Sequence, residues 1–131
     1  MGVLEELEQA IAQVTERVGP AVVGIGGGWA LGSGVVVADG LVLTNAHNVH
    51  GDEVTATFAE GRSTTGTVAG LDVDGDLAVV ALDTAGATAI EWGPDQAAGL
   101  GSAVFALANP GGRGLRVTFG TVSATQRAFR G

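Results

Sequence analysis

The chain has no cysteine, which excludes a disulfide framework and any thiolate metal site. Basic residues are scarce, 6 against 14 acidic ones, for a net charge of −8. Binding to a phosphate backbone needs clustered Lys and Arg, so the balance disfavours nucleic acid as a partner. Four of the arginines come late, at Arg113, Arg116, Arg127 and Arg130, and read as solvated turn residues. No apolar run reaches the length of a membrane span, so no membrane partner is expected. Met1 to Glu6 lacks both a basic n-region and a long apolar h-region, so it is not a signal peptide. The expected location is cytoplasmic if Met1 is native, and exported if a signal has been removed.

What is present is a 131-residue chain with 46% apolar residues, enough for one ordinary core, and 23 glycines without a collagen period. Leu4, Leu7, Ile11, Val14 and Val18 recur at spacings of three and four, predicting a helix over residues 3–18. Glu5, Glu6 and Glu8 near its start and Arg17 near its end suit the helix dipole, and Gly19-Pro20 stops it. Its apolar stripe suits docking on the rest of the fold or on a neighbouring subunit, which allows a homo-oligomer.

After Pro20 the pattern changes to short apolar runs separated by Gly, Asp and Asn turns. Strands are expected at 21–25, 34–38, 41–44, 53–58, 63–71 and 77–82, with Asp39-Gly40 and Glu60-Gly61 as turns. No helical pattern separates them, so the fold class is all-β, an antiparallel barrel or sandwich. Residues 83–101, with Pro94, read as a linker. Residues 103–108 and 115–124 then form a hairpin around Asn109-Pro110-Gly111-Gly112-Arg113-Gly114. A lone hairpin is marginal in water, so a second unit is expected to open here. The division expected is a helix over 1–19, a first β-barrel over 20–92, and a linker with the start of a second barrel over 93–131.

His47, in Thr44-Asn45-Ala46-His47, follows an apolar run where a strand should end. Its imidazole can accept and return a proton near neutral pH, although a turn histidine is the commoner use of the residue. His50 makes a His-x-x-His pair with it, but no third ligand at a suitable spacing supports zinc. Asp76 opens the apolar run Leu77–Leu82 and could hold a histidine Nδ1–H, or simply cap a turn. Asp72-Val73-Asp74-Gly75-Asp76 starts like a calcium loop, yet Leu77 stands where that loop needs glycine and Asp83 where it uses Glu. Ser33, Ser63, Ser102 and Ser123 all lie outside a Gly-x-Ser-x-Gly elbow, and Ser33 suits a structural role at a strand start. Gly24, Gly26, Gly27 and Gly28 miss the dinucleotide fingerprint at Trp29 and make no Walker A loop. No cofactor and no metal is therefore expected.

Six segments stand in an order that resembles the HtrA-like branch of trypsin-fold serine proteases. They are Ala21-Val22-Val23-Gly24-Ile25, Gly32-Ser33-Gly34-Val35-Val36-Val37, Thr44-Asn45-Ala46-His47, Asp76-Leu77-Ala78-Val79-Val80, Ala108-Asn109-Pro110-Gly111 and Gly120-Thr121-Val122-Ser123-Ala124. The 29 positions from His47 to Asp76 suit that family as well, and the resemblance spans roughly residues 20–127. It implies two Greek-key barrels with the active site between them, of which this chain holds the first and the opening hairpin of the second. It also implies that His47 is the general base, Asp76 its partner, and a protein or peptide the substrate. The nucleophile and oxyanion donors, in a Gly-x-Ser-Gly-Gly motif, would lie on the missing C-terminal barrel. The expectation is a serine endopeptidase fragment, inactive by itself. Two alternatives share the same residues: a pseudoprotease kept as a binding or assembly module, and one half of a two-chain enzyme.

Overall fold

The computed structural model describes residues 2–26, 32–93 and 99–123. Gly27, Gly28, Trp29, Pro94, Ala124, Arg127 and Arg130, which figured in the sequence reading, lie outside these residues. The helix α1 runs Val3–Val18, followed by a 3-10 turn at Gly19–Ala21. Then come β1 (Val22–Ile25), β2 (Gly32–Ala38), β3 (Leu41–Thr44), β4 (Glu53–Thr57), β5 (Ser63–Asp72) and β6 (Leu77–Ala81). These close into an antiparallel barrel of order β1-β2-β3-β6-β5-β4. Two three-stranded meanders are thus sealed along two seams, β3 on β6 and β1 on β4. β7 (Ala103–Ala108) and β8 (Arg116–Thr121) form a separate hairpin. The chain builds the expected all-β barrel with an N-terminal helix, and the hairpin expected to open a second barrel is present as a second sheet of two strands.

Alternation along each strand fills the barrel. Val23, Ile25, Val36, Val42, Val54, Ala56, Phe58, Val80 and Leu82 make one buried cluster. β1 departs from alternation, because all four of its residues are buried. Its inner face meets this core, while β7 and the Pro110–Gly112 turn cover its outer face. One barrel end is closed by Arg62, whose guanidinium lies 4.0 Å from the centroid of the Phe58 ring. Arg62 also donates to the Thr84 carbonyl at 3.2 Å and pairs with Glu60 at 3.1 Å. Thr84 is fully buried and ties the Asp39-Gly40 turn down, accepting from the Gly40 N–H at 3.0 Å and donating to Asp39 Oδ1 at 3.1 Å. Gly40 has φ +79°, as the hairpin turn demands.

The boundaries differ from the periodic reading in places. β2 begins at Gly32 instead of residue 34, since Gly32 and Ser33 already pair with Ile25 and Gly24. β5 runs on to Asp72 through an irregularity between Val68 and Gly70. Residues 83–93, read as linker, lie against the barrel: Ala87 and Ala89 pack on the core, and the Ile90 N–H donates to the Val36 carbonyl at 2.8 Å. Small apolar residues without alternation carry no strand signal, so this packing leaves no periodic trace.

Candidate active site

The β3–β6 seam makes the site. Thr44 pairs with Ala78 at its end, and continuing that antiparallel register past the strands sets Ala46 opposite Asp76. β3 then turns through a 3-10 turn at Ala46–Asn48, which carries His47 outward. Asp76 closes the Val73–Asp76 turn just before β6, its N–H donating to the Val73 carbonyl at 3.2 Å. It sits at φ +54°, a left-handed conformation that Asp tolerates better than most residues.

Two bonds join the pair. The His47 backbone N–H donates to Asp76 Oδ1 at 2.9 Å, and His47 Nδ1 lies 2.6 Å from Asp76 Oδ2. An ionised carboxylate only accepts, so the shared proton resides on Nδ1. Nε2 is left to carry the lone pair of the neutral ring. The His47 backbone N–H, then its side chain, hold the Asp76 carboxyl below the ordinary value of 3.8, against the opposing effect of desolvation. The Ala46 N–H adds to the same lowering. The His47 side chain is 68% exposed and that of Asp76 45%, so the ring stands open to an incoming group.

Asn45 is a contributor that residue-type reasoning missed. Its Nδ2 donates to the Asp76 main-chain carbonyl at 3.0 Å, bracing the left-handed turn from the other strand. Its position two residues before His47 was the available signal. The remaining candidates sort by contact. Asp72 Oδ1 accepts from the Gly75 N–H at 3.0 Å, within its own turn. His50 is not joined to Asp76; it lines a separate hollow of about 320 Å³ with Asn48 and Glu53. Among the described residues no three His, Cys, Asp or Glu side chains are grouped to hold a metal ion. No helix among them is long and apolar enough to cross a membrane. Ser33 Oγ accepts the Asn109 N–H at 2.9 Å, and Ser63 Oγ is 2.9 Å from Thr57 Oγ1. Among the described residues no serine hydroxyl is bonded to His47.

Beside Asn45 an apolar cleft of about 420 Å³ opens between the barrel and the hairpin, lined by Val22, Val35, Leu43, Leu77, Phe105 and Leu107 among others. The arrangement offers an exposed imidazole, a carboxylate bonded to its Nδ1 edge and an adjoining apolar wall.

Comparison with known proteins gives this geometry a family. Residues 32–131 match the family described as a trypsin-like peptidase domain. The chain is 34% identical over 134 residues to the serine protease PepD of Mycobacterium tuberculosis, covering 90% of this chain and 29% of that protein. It is 36% identical over 103 residues to the periplasmic serine endoprotease DegP of Salmonella typhimurium, covering 76% of this chain and 22% of that protein. The crystal structure of a serine endoprotease from Yersinia pestis superposes with a TM-score of 0.79 at 31% identity, over 88% of this chain and 44% of that one. The chain therefore spans less than a third of the length of these two relatives. A barrel closed on the β3–β6 seam, a histidine and an aspartate meeting across it, and this match over most of the sequence place the chain in the trypsin-like peptidase domain family, in its HtrA-like branch.

Proposed function

We propose that this chain supplies the general base and its orienting carboxylate to a serine endopeptidase acting on protein substrates. The observation that carries the reading is the pair of hydrogen bonds from His47 to the Asp76 carboxylate, through Nδ1 and through the backbone N–H. In this reading residues 1–19 form an N-terminal helix, 20–92 the first barrel, and 93–131 a linker and the start of a second. The rest of that second barrel, outside this chain, brings the serine and the oxyanion donors. The hairpin β7–β8 and the apolar cleft beside it support such a continuation, since a two-stranded unit alone buries too little.

In the reaction the serine Oγ attacks the scissile carbonyl carbon as His47 Nε2 takes its proton. The new Oγ–C bond forms while the carbonyl π pair moves onto the oxygen. When the tetrahedral intermediate collapses, the C–N bond breaks and Nε2 gives its proton to the leaving amine. Water then repeats the sequence on the acyl-enzyme, with Nε2 again accepting and returning the proton. Asp76 keeps Nδ1 protonated throughout and stabilises the transient imidazolium.

The test is labelling of the full-length protein by a fluorophosphonate probe, beside hydrolysis of a fluorogenic peptide. His47→Ala should abolish turnover to near background and slow labelling at least a hundredfold, the contribution expected of a positioned general base. Labelling and turnover that survive His47→Ala unchanged would remove His47 from the mechanism.

A further inference from the structure

The turn carrying His47 is held from below as well as from Asp76. Thr44, buried at the end of β3, donates its hydroxyl proton to the Ser33 carbonyl at 2.7 Å. The same oxygen accepts from Asn48 Nδ2 at 3.2 Å, and Asn48 is the residue after His47. The Asn48 amide lies flat on β2: a Cβ placed on Gly32 would sit 2.5 Å from Asn48 Cγ. Gly32 is therefore the gap that lets Asn48 reach down to Thr44.

Ser33 faces both ways. Its carbonyl takes the Thr44 hydroxyl, while its own hydroxyl takes the Asn109 N–H at 2.9 Å. Asn109 is buried, and its side-chain oxygen accepts from the Gly114 N–H at 2.9 Å, which pins the Asn109–Gly114 loop of the hairpin. Ser33, Gly24 and Thr57 form one row across β2, β1 and β4. The loop is seated on that row, on the Ser33 hydroxyl, against bare Gly24, and with Gly112 touching the Thr57 side chain. A continuous set of bonds thus runs from the hairpin loop through Ser33, Thr44 and Asn48 to the turn bearing His47.

We propose that Ser33 and Thr44 are positioning residues for the base, setting the His47 ring by way of Asn48 and tying its placement to the seating of the hairpin loop. This rests on the reading of His47 as the base. Asp76 fixes the Nδ1 edge of the ring, and the relay fixes the turn from which the ring projects. The hydroxyl of Ser33 is thereby assigned to joining the two β units.

The experiment uses the full-length protein with Thr44→Val, Thr44→Ser, Ser33→Ala and the Ser33→Ala/Thr44→Val double variant. Peptide hydrolysis is measured together with ¹⁵N-imidazole NMR of His47, assigned through His47→Gln. Thr44→Val keeps the shape and deletes the hydroxyl; it should lower kcat about tenfold with KM little changed, as expected for a base displaced by a fraction of an ångström. Thr44→Ser should restore most of the loss and leave the His47 resonances at their wild-type positions. Because the two residues act as one unit, the double variant should be little worse than Thr44→Val alone. A folded Thr44→Val protein with kcat within about twofold of wild type overturns the proposal, as do additive losses or a Thr44→Ser variant as slow as Thr44→Val. Should Thr44→Val fail to fold, Ser33→Ala carries the same kcat and NMR comparison. If His47→Gln retains full activity the base reading fails, and the His47 resonances still decide the relay: unmoved by Thr44→Val and Ser33→Ala, they refute it.

Discussion

Gly24→Ala is the substitution most sharply constrained by this structure. Gly24 lies in the middle of β1 with no positive φ, so alanine is conformationally permitted there and the whole penalty is steric. A Cβ at Gly24 would collide with the Gly112 backbone nitrogen, lie 2.5 Å from Gly112 Cα and 2.7 Å from the Asn109 carbonyl oxygen. These are backbone atoms and cannot swing aside as a side chain would. Ordinary contact needs about 1 Å more, so the Asn109–Gly112 loop must lift away. Lifting it breaks the Asn109 N–H bond to Ser33 and strands a buried donor. A stranded donor costs about 1–3 kcal/mol and residual overpacking a similar amount, for a combined loss of about 2–6 kcal/mol. Urea denaturation of the full-length protein measures the total. Amide hydrogen exchange localises it, with protection falling at Asn109 and Gly112 and holding at Val36 and Val42. Gly70→Ala is the control, because a Cβ there meets nothing within 4 Å; it should stay within about 0.5 kcal/mol of wild type. A Gly24→Ala protein equally undisturbed, with Asn109 still protected, would refute the seating of the loop on β1.

Two further outcomes follow from the barrel and the pair. Phe58 is fully buried under Arg62, so Phe58→Ala should destabilise by about 3–5 kcal/mol in chemical denaturation, the usual range for an aromatic removed from a core. Asp76 has a folded-state pKa below its ordinary 3.8, so its contribution to stability is present above that value and is lost as pH falls through the depressed one. ¹³C-carboxyl NMR should therefore find Asp76 titrating below the ordinary range in wild type and moving back up in His47→Ala, whose missing ring removes one of the two bonds.

Much of this architecture is legible in the chain because the signals are local. Val35 to Val37 and Leu41 to Leu43, joined at Asp39-Gly40, declare a hairpin, and both strands and the turn lie where periodicity and turn chemistry set them. His47 and Asp76 are legible as strand-end residues, and resemblance supplied their pairing. Their meeting itself depends on β3 lying beside β6, a long-range register that no local pattern states. Gly24 reads as an ordinary glycine within a strand, and its reason for being bare is a loop 85 or more residues away. The three letters Gly-Ser-Gly leave Ser33 open to two roles, nucleophile and structural residue, and favour the second. The partner that decides between them, Asn109, comes 76 positions later. Residues 83–93 carry no periodic signal for the opposite reason, since they pack on the core through irregular backbone.

In the proposed mechanism Asp76 works through His47, holding the proton on Nδ1 so that Nε2 is free to act. The direct test is the acylation rate constant of the full-length protein, measured by stopped-flow with an activated ester, for wild type beside Asp76→Asn. Asparagine is nearly isosteric and tolerates the left-handed backbone, but its amide can donate to Nδ1 and select the wrong tautomer. That constant should fall by about 10³–10⁴ with the fold intact. A rate within about tenfold of wild type would remove Asp76 from this role.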